Sequence, residues 1–213
     1  MTPPTATVTA RRRGATHRRA TARRRLRLLS ASILLVAIGI AVAMPLFRRA
    51  VNELALPLAY SDIIRQQAAE KHLDPALIAA VIYAETKFDP RPSSAGAEGL
   101  MQILPQTAEY LAHKSGATTF HVSDLGTPQV NIAYGSYYLR YLLDEYQGSE
   151  MLALAAYNGG EANVTRWFRA VRAEGRPFTI SAIPFSQTRA YVVKVLEAQR
   201  DYRSTYPRQL GYR

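Results

Sequence analysis

The residues best suited to chemistry lie between Glu85 and Gln102, where the chain reads ETKFDPRPSSAGAEGLMQ. Glu85 follows Ile78, Val81 and Ile82 by seven, four and three residues. That spacing puts it on the core-facing side of a helix, not the solvated side. It also falls near the helix end, where the negative pole of the dipole disfavours ionisation, and desolvation acts in the same sense. Both effects raise the carboxyl pKa toward neutrality, where a general acid is useful. For Glu85 taken by itself, a helix-terminal pairing with Lys87 or Arg91 is the plainer reading. The loop behind it argues for chemistry. Asp89-Pro90-Arg91-Pro92 is a stiff exit, and Gly96 and Gly99 let backbone approach a ligand closely or take φ > 0. Gln102 adds a donor and an acceptor suited to sugar hydroxyls or an N-acetyl group. A lone core-facing carboxylate beside such a loop suits general acid catalysis on a polar polymer, a glycan above all.

The elements that must hold this loop read as helices. Apolar spacing predicts a helix over 62–72. Asp74-Pro75 is an N-cap followed by proline at the first helical position, so a second helix starts there and must stop near Asp89, ahead of Pro90 and Pro92. Further helices are predicted over 104–112, 130–146, 151–157, 162–171 and 188–202. The fifth of these seven is stopped by Asn158-Gly159-Gly160. No stretch alternates as a strand would. The expectation is an all-α domain of six to eight helices over 61–203, with a tail over 204–213.

The formal charge of +11 is unevenly placed. Nine of the 27 Lys and Arg fall in residues 1–27 with none of the 16 acids, which leaves 18 bases against 16 acids in the remainder. The folded part is close to neutral and has no need of a polyanion, so no nucleic-acid partner is expected. Residues 28–47 form twenty positions without a charge, roughly 30 Å as a helix, the thickness of a hydrocarbon core. Arginine clusters on the N-terminal side predict a transmembrane helix with the basic tail, 1–27, in the cytoplasm. The rest, entered through a linker over 48–60, is then extracytoplasmic. Ala41-Val42-Ala43 also has the small residues of a signal-peptidase site, although a 27-residue leader is long for a cleaved signal and favours a retained anchor. There is no cysteine, so disulfides and lipoprotein attachment are excluded. His72, His113 and His121 lack metal-ligand spacing, and neither a metal nor another cofactor is expected.

Four segments in order resemble the soluble-lytic-transglycosylase family, which has a lysozyme-like fold. The first runs from Glu85 to Pro90, through Ser93 and Gly96-Ala97, to Gly99-Leu100-Met101-Gln102-Ile103-Leu104-Pro105. The second is Asn131, Gly135 and Tyr138-Leu139, and the third is Ala156-Tyr157-Asn158-Gly159-Gly160. The fourth is Ile183-Pro184-Phe185 with Thr188-Arg189-Ala190-Tyr191-Val192. The resemblance implies Glu85 as general acid and then base, Ser93 bonding near it, and Gln102, Tyr157 and Asn158 lining a sugar cleft. Two departures stand out. Thr86 replaces the family's usual Ser and keeps the hydroxyl. Gln187 stands where the family commonly has Glu, removing a charge expected near bound substrate. Tyr134, Tyr137, Tyr138 and Tyr141 read as core and rim aromatics before sugar platforms.

Hydrolytic glycosidases use two carboxylates about 5 to 9.5 Å apart. Here no partner for Glu85 is evident: Asp89 precedes Pro90 as a helix-end cap or solvated group, and no motif ties Glu98, Glu109, Asp124 or Asp144 to the site. The resemblance implies a reaction in which substrate supplies the nucleophile. Peptidoglycan would be cut between N-acetylmuramic acid and N-acetylglucosamine to leave 1,6-anhydro ends. A hydrolase of the same fold using Asp89, and a membrane-tethered peptidoglycan-binding module that has lost activity, are the competing readings. Cell-wall synthesis or secretion machinery would be the candidate partners of an anchored enzyme.

Overall fold

A computed structural model describes residues 39–41, 43–44, 56–90 and 93–212. Among them are seven long helices: α1 (Ser61–Lys71), α2 (Pro75–Thr86), α3 (Pro105–Ser115), α4 (Pro128–Glu145), α5 (Glu150–Gly159), α6 (Glu161–Ala173) and α7 (Ser186–Thr205). Two 3₁₀ turns, Val122–Gly126 and Ile180–Ala182, complete them and had no signature in the sequence. The one extended pairing among these residues is an isolated antiparallel bridge between Glu98 and Ile103. The all-helical expectation holds.

Helix α2 organises the domain. Asp74 caps it, accepting from Ala76 N–H at 3.0 Å, and Pro75 occupies the first turn. Every residue from Ala76 to Ile82 is buried, as in a helix apolar all round. Helix α7 lies along α2 for most of its length, and Tyr202 packs edge-on against Tyr83 at 6.1 Å. The C-terminus of α2 comes at Thr86, three residues before the stop expected at Asp89. Lys87 and Phe88 both take left-handed backbone (φ 53° and 64°), and Lys87 N–H returns to Tyr83 O at 3.1 Å. Neither is glycine, so this tight turn is held against a local cost of the order of 1 kcal/mol per residue. Its effect is to leave Glu85 in the last turn, facing a cavity.

The other helix ends fall within about three residues of the sequence reading. Gly160 (φ 84°) ends α5 and starts α6, and a Cβ at Gly159 would press on Thr188 of α7 at 3.1 Å. Residues 204–212, expected to be a tail, pack on the domain. Tyr206 and Leu210 are buried, Tyr206 donates to Leu56 O at 2.8 Å, and Tyr212 Oη bonds the Asp74 carboxylate. Two apolar anchors in nine residues give too little periodicity to be read as part of a core. Leu56, expected in the linker, belongs to the same core.

The basic tail and most of the expected membrane span, linker included up to residue 55, lie outside the described residues. Residues 39–41 and 43–44 of the span are helical. Among the described residues no helix is long and apolar enough to cross a membrane.

Candidate active site

Glu85 opens into a cleft of about 350 Å³ that it shares with Thr86, Asp89, Gln102 and Lys194. The carboxyl is half-buried, and burial pushes its pKa up to about 7. Two groups work against that shift, the Tyr191 hydroxyl and, behind it, the Lys194 ammonium. Tyr191 is 7% exposed, and its buried Oη meets no partner at full hydrogen-bond geometry. It sits near enough to Glu85 to favour the carboxylate electrostatically, without the geometry of an ordinary bond. Lys194 donates to Ala84 O at 2.7 Å, satisfying a carbonyl of the last turn of α2. Burial and the nearby Lys87 lower the Lys194 pKa, and Glu85 opposes them. Replacing Tyr191 with Phe removes the larger opposing influence. The Glu85 carboxyl then titrates above about 7, by up to roughly one pH unit, as read by carboxyl ¹³C NMR.

The loop bearing Gln102 is fixed from three sides. Thr86 Oγ1 donates to Leu100 O at 2.9 Å, so this hydroxyl ties helix end to loop. Asn131, fully buried on α4, accepts from Met101 N–H at 2.8 Å and donates to Glu98 O and Leu125 O at 2.9 and 3.0 Å. Gly99 (φ +72°) sits against that amide so closely that a Cβ would overlap it. Tyr157 Oη donates to Met101 O at 2.8 Å. Gln102 itself takes φ 50°, and its amide donates to Gly99 O at 2.9 Å. A short, strained loop pinned at each carbonyl is a preorganised wall.

Of the residues predicted to form the site, Glu85 and Gln102 meet in the cleft, and Tyr157 supports it from behind. The Ser93 hydroxyl is engaged in its own loop, accepting from Ala97 N–H at 2.9 Å. Asn158 accepts from Thr188 Oγ1 at 2.9 Å, joining α5 to α7. Gln187 is exposed in the first turn of α7 and is not part of the cleft wall around Glu85. Arg91 and Pro92 of the exit loop lie outside the described residues. No role for Tyr191 or Lys194 is evident in the sequence. They fall three and six residues after Thr188, one face of α7, and only the seating of α7 on α2 turns that face toward Glu85. No cluster of His, Asp or Glu suited to a metal occurs among the described residues.

This helical fold has known counterparts. Residues 62–177 match the transglycosylase SLT domain. Over 151 residues the chain is 33% identical to the soluble lytic murein transglycosylase of Escherichia coli strain K12, covering 69% of this chain and 23% of that protein. It is 32% identical over 167 residues to membrane-bound lytic murein transglycosylase C of Glaesserella parasuis, covering 68% and 46%. The crystal structure of the 70 kDa soluble lytic transglycosylase of Escherichia coli superposes with a TM-score of 0.67 at 31% identity, over 71% of this chain and 25% of that one. An inactive Glu-to-Gln mutant of lytic transglycosylase Slt from Pseudomonas aeruginosa superposes with a TM-score of 0.66 at 29% identity, over 73% and 26%. The chain belongs to the transglycosylase SLT domain family. It spans about a quarter of the length of the soluble relatives it matches.

Proposed function

We propose that this domain is a peptidoglycan lytic transglycosylase that cleaves the β-1,4 bond between N-acetylmuramic acid and N-acetylglucosamine without water. The observation that carries the reading is the state of Glu85. It opens into the cleft beside Gln102 and Lys194, and burial raises its pKa to about 7 against the opposing Tyr191 and Lys194.

The chemistry follows from one carboxyl. Protonated Glu85 gives its proton to the glycosidic oxygen as the bond to C1 breaks, and the substrate's N-acetyl group stabilises the positive centre. Glu85, now a carboxylate beside Lys194 and Tyr191, takes the proton of the muramic C6 hydroxyl. That oxygen closes on C1 and leaves a 1,6-anhydro ring. Attack from within the same sugar carries a large entropic advantage over recruiting water. Gln102 holds sugar hydroxyl or amide groups against the wall. Tyr157, Asn158 and Ser93 support the walls instead of reacting, and Gln187 meets substrate at the outer edge of α7. The relatives named as lytic murein transglycosylases, soluble and membrane-bound, support the substrate. The inactive Glu-to-Gln mutant of lytic transglycosylase Slt from Pseudomonas aeruginosa supports the role of a glutamate. The arginine-flanked apolar segment of the sequence supports a domain held outside a membrane, facing the wall polymer.

A hydrolase has one observation in its favour, since Asp89 lines the same cleft. Asp89 is exposed, however, which leaves it poorly placed to hold a water in a dry site. Asp89→Asn is expected to retain at least about one third of wild-type kcat on purified sacculi. A loss of a hundredfold or more, the size of a general base contribution, would establish the two-carboxylate mechanism instead.

A further inference from the structure

The outer face of α6 carries a row of arginines that the cleft does not use. Arg166, Arg169 and Arg172 follow one another at three-residue spacing, and Arg176 stands just past the helix end. All four are exposed, and none lines the cleft around Glu85. At 3.6 residues per turn the three on the helix fall within roughly 120° of arc and about 9 Å of axis. The opposite face buries Val164, Trp167 and Val171, which holds the row outward. Ala162, Ala170 and Ala173 lie exposed among the arginines, too short to cover them. No acid occurs from residue 162 to residue 173. The acids at either end are engaged: Glu161 accepts from the Tyr138 and Tyr141 hydroxyls at 3.4 and 3.0 Å, and Glu174 pairs with Arg176. Among the described residues Arg169 and Arg172 form no ion pair.

A neutral glycan gives such a row nothing to bind. An array of phosphates does, because each guanidinium offers a planar fork of donors to phosphate oxygens. Residues 28–213 hold 18 bases against 16 acids, so the field of the row is local and orients the domain as well as attracting it. Only residues 48–55 separate the uncharged segment from Leu56, at most about 30 Å of chain. We propose that the arginine face of α6 docks on a bilayer surface of anionic phospholipid headgroups, the membrane in which the segment over 28–47 anchors the chain. The inference rests on that segment being a retained anchor. The row and the cleft use different residues, so docking and cleavage are separable.

The test uses the full-length chain in vesicles of neutral phosphatidylcholine, with or without phosphatidylglycerol. The chain has no cysteine, so Ala173→Cys takes a single fluorophore on the exposed face, and a lipid with a nitroxide headgroup quenches it on contact. Quenching is expected to be at least about threefold stronger in the anionic vesicles, and to fall to the neutral level in about 0.5 M salt. Adding Arg169→Glu with Arg172→Glu removes the difference between the vesicles. Both side chains are exposed, a thermal melt confirms the fold, and cleavage of soluble glycan fragments without vesicles stays within about twofold. Equal quenching of the wild type in the two vesicles would overturn the docking, as would a reversed variant that keeps the difference. A wild type that ignores anionic lipid yet binds soluble polyglycerol phosphate would assign the row to a wall polymer instead. A chain that fails to float with neutral vesicles has no anchor, which overturns the inference and leaves the transglycosylase reading standing. Absence of glycan cleavage by the wild type would sink the transglycosylase reading alone.

Discussion

Glu85→Gln is expected to reduce cleavage of peptidoglycan by about 10²- to 10⁴-fold while leaving a folded protein that still binds glycan strands. The size is that of a lost general acid, and here the same carboxyl also serves as base, so the upper part of the range is expected. A companion effect has the opposite sign. The Glu85 pKa is about 7 in the folded chain against 4.5 in the unfolded one. The folded state therefore prefers the proton, and the ionised carboxylate destabilises it progressively as pH rises from about 4.5 through 7. The ceiling is about 3 kcal/mol, reached above pH 7, and partial access to water makes the realised value smaller. Gln has no charge to bury. The variant should match wild type in Tm near pH 4 and exceed it by several degrees at pH 8. Loss of activity together with a gain in stability that grows with pH identifies a residue held in an unfavourable state for its chemistry. Equal Tm differences at both pH values would mean that Glu85 is solvated and its raised pKa is wrong. The same titration sets the pH dependence of the enzyme: kcat/KM should be level on the acid side and fall above about pH 7 on a single limb.

Asn131→Ala has the largest expected effect on stability. Its amide serves three backbone groups, Met101 N–H, Glu98 O and Leu125 O, all from full burial. Truncation leaves Met101 N–H and Leu125 O without that partner, while Glu98 O keeps Ile103 N–H, and it opens a void beside Gly99. Unpaired buried groups cost about 1–3 kcal/mol each, so a loss of roughly 3–5 kcal/mol is expected after partial relaxation, from a typical total of 5–15. Urea unfolding measures it directly. Because Asn131 fixes the loop and not the reacting atoms, kcat should fall with the position of Gln102, with the alkaline limb near pH 7 unmoved. A loss below about 1 kcal/mol would show that the loop is held by Thr86 and Tyr157 alone.

The sequence exposed the features that depend on nearby residues. Asp74-Pro75 announced the start of α2, and the 3.6-residue spacing of Ile78, Val81 and Ile82 turned Glu85 inward. Gly159-Gly160 marked the end of α5, to within two residues. Features built by distant packing stayed hidden. Nothing in Lys87-Phe88 advertises left-handed backbone, since the turn is imposed by Tyr202 and the core closing over Phe88 at 6.2 Å. Tyr191 and Lys194 lie on a helix whose apolar face was readable, but their approach to Glu85 depends on how α7 rests on α2. Ser93 shows the converse. Resemblance pointed its hydroxyl at the carboxylate, and here it closes the loop on Ala97. Tyr206 and Leu210 were too sparse to suggest that the chain beyond residue 203 covers the start of α2.

In the proposed mechanism one carboxyl, Glu85, cleaves the glycan with substrate and not water as nucleophile. Mass spectrometry of muropeptides released from purified sacculi in ¹⁸O-labelled water tests it, with Glu85→Gln run in parallel. The expected result is anhydro-muramyl products lighter by one water than their reducing counterparts, free of label, from the wild type only. Labelled reducing ends from the wild type would contradict it and make Asp89, or another acid, the missing half of a hydrolase.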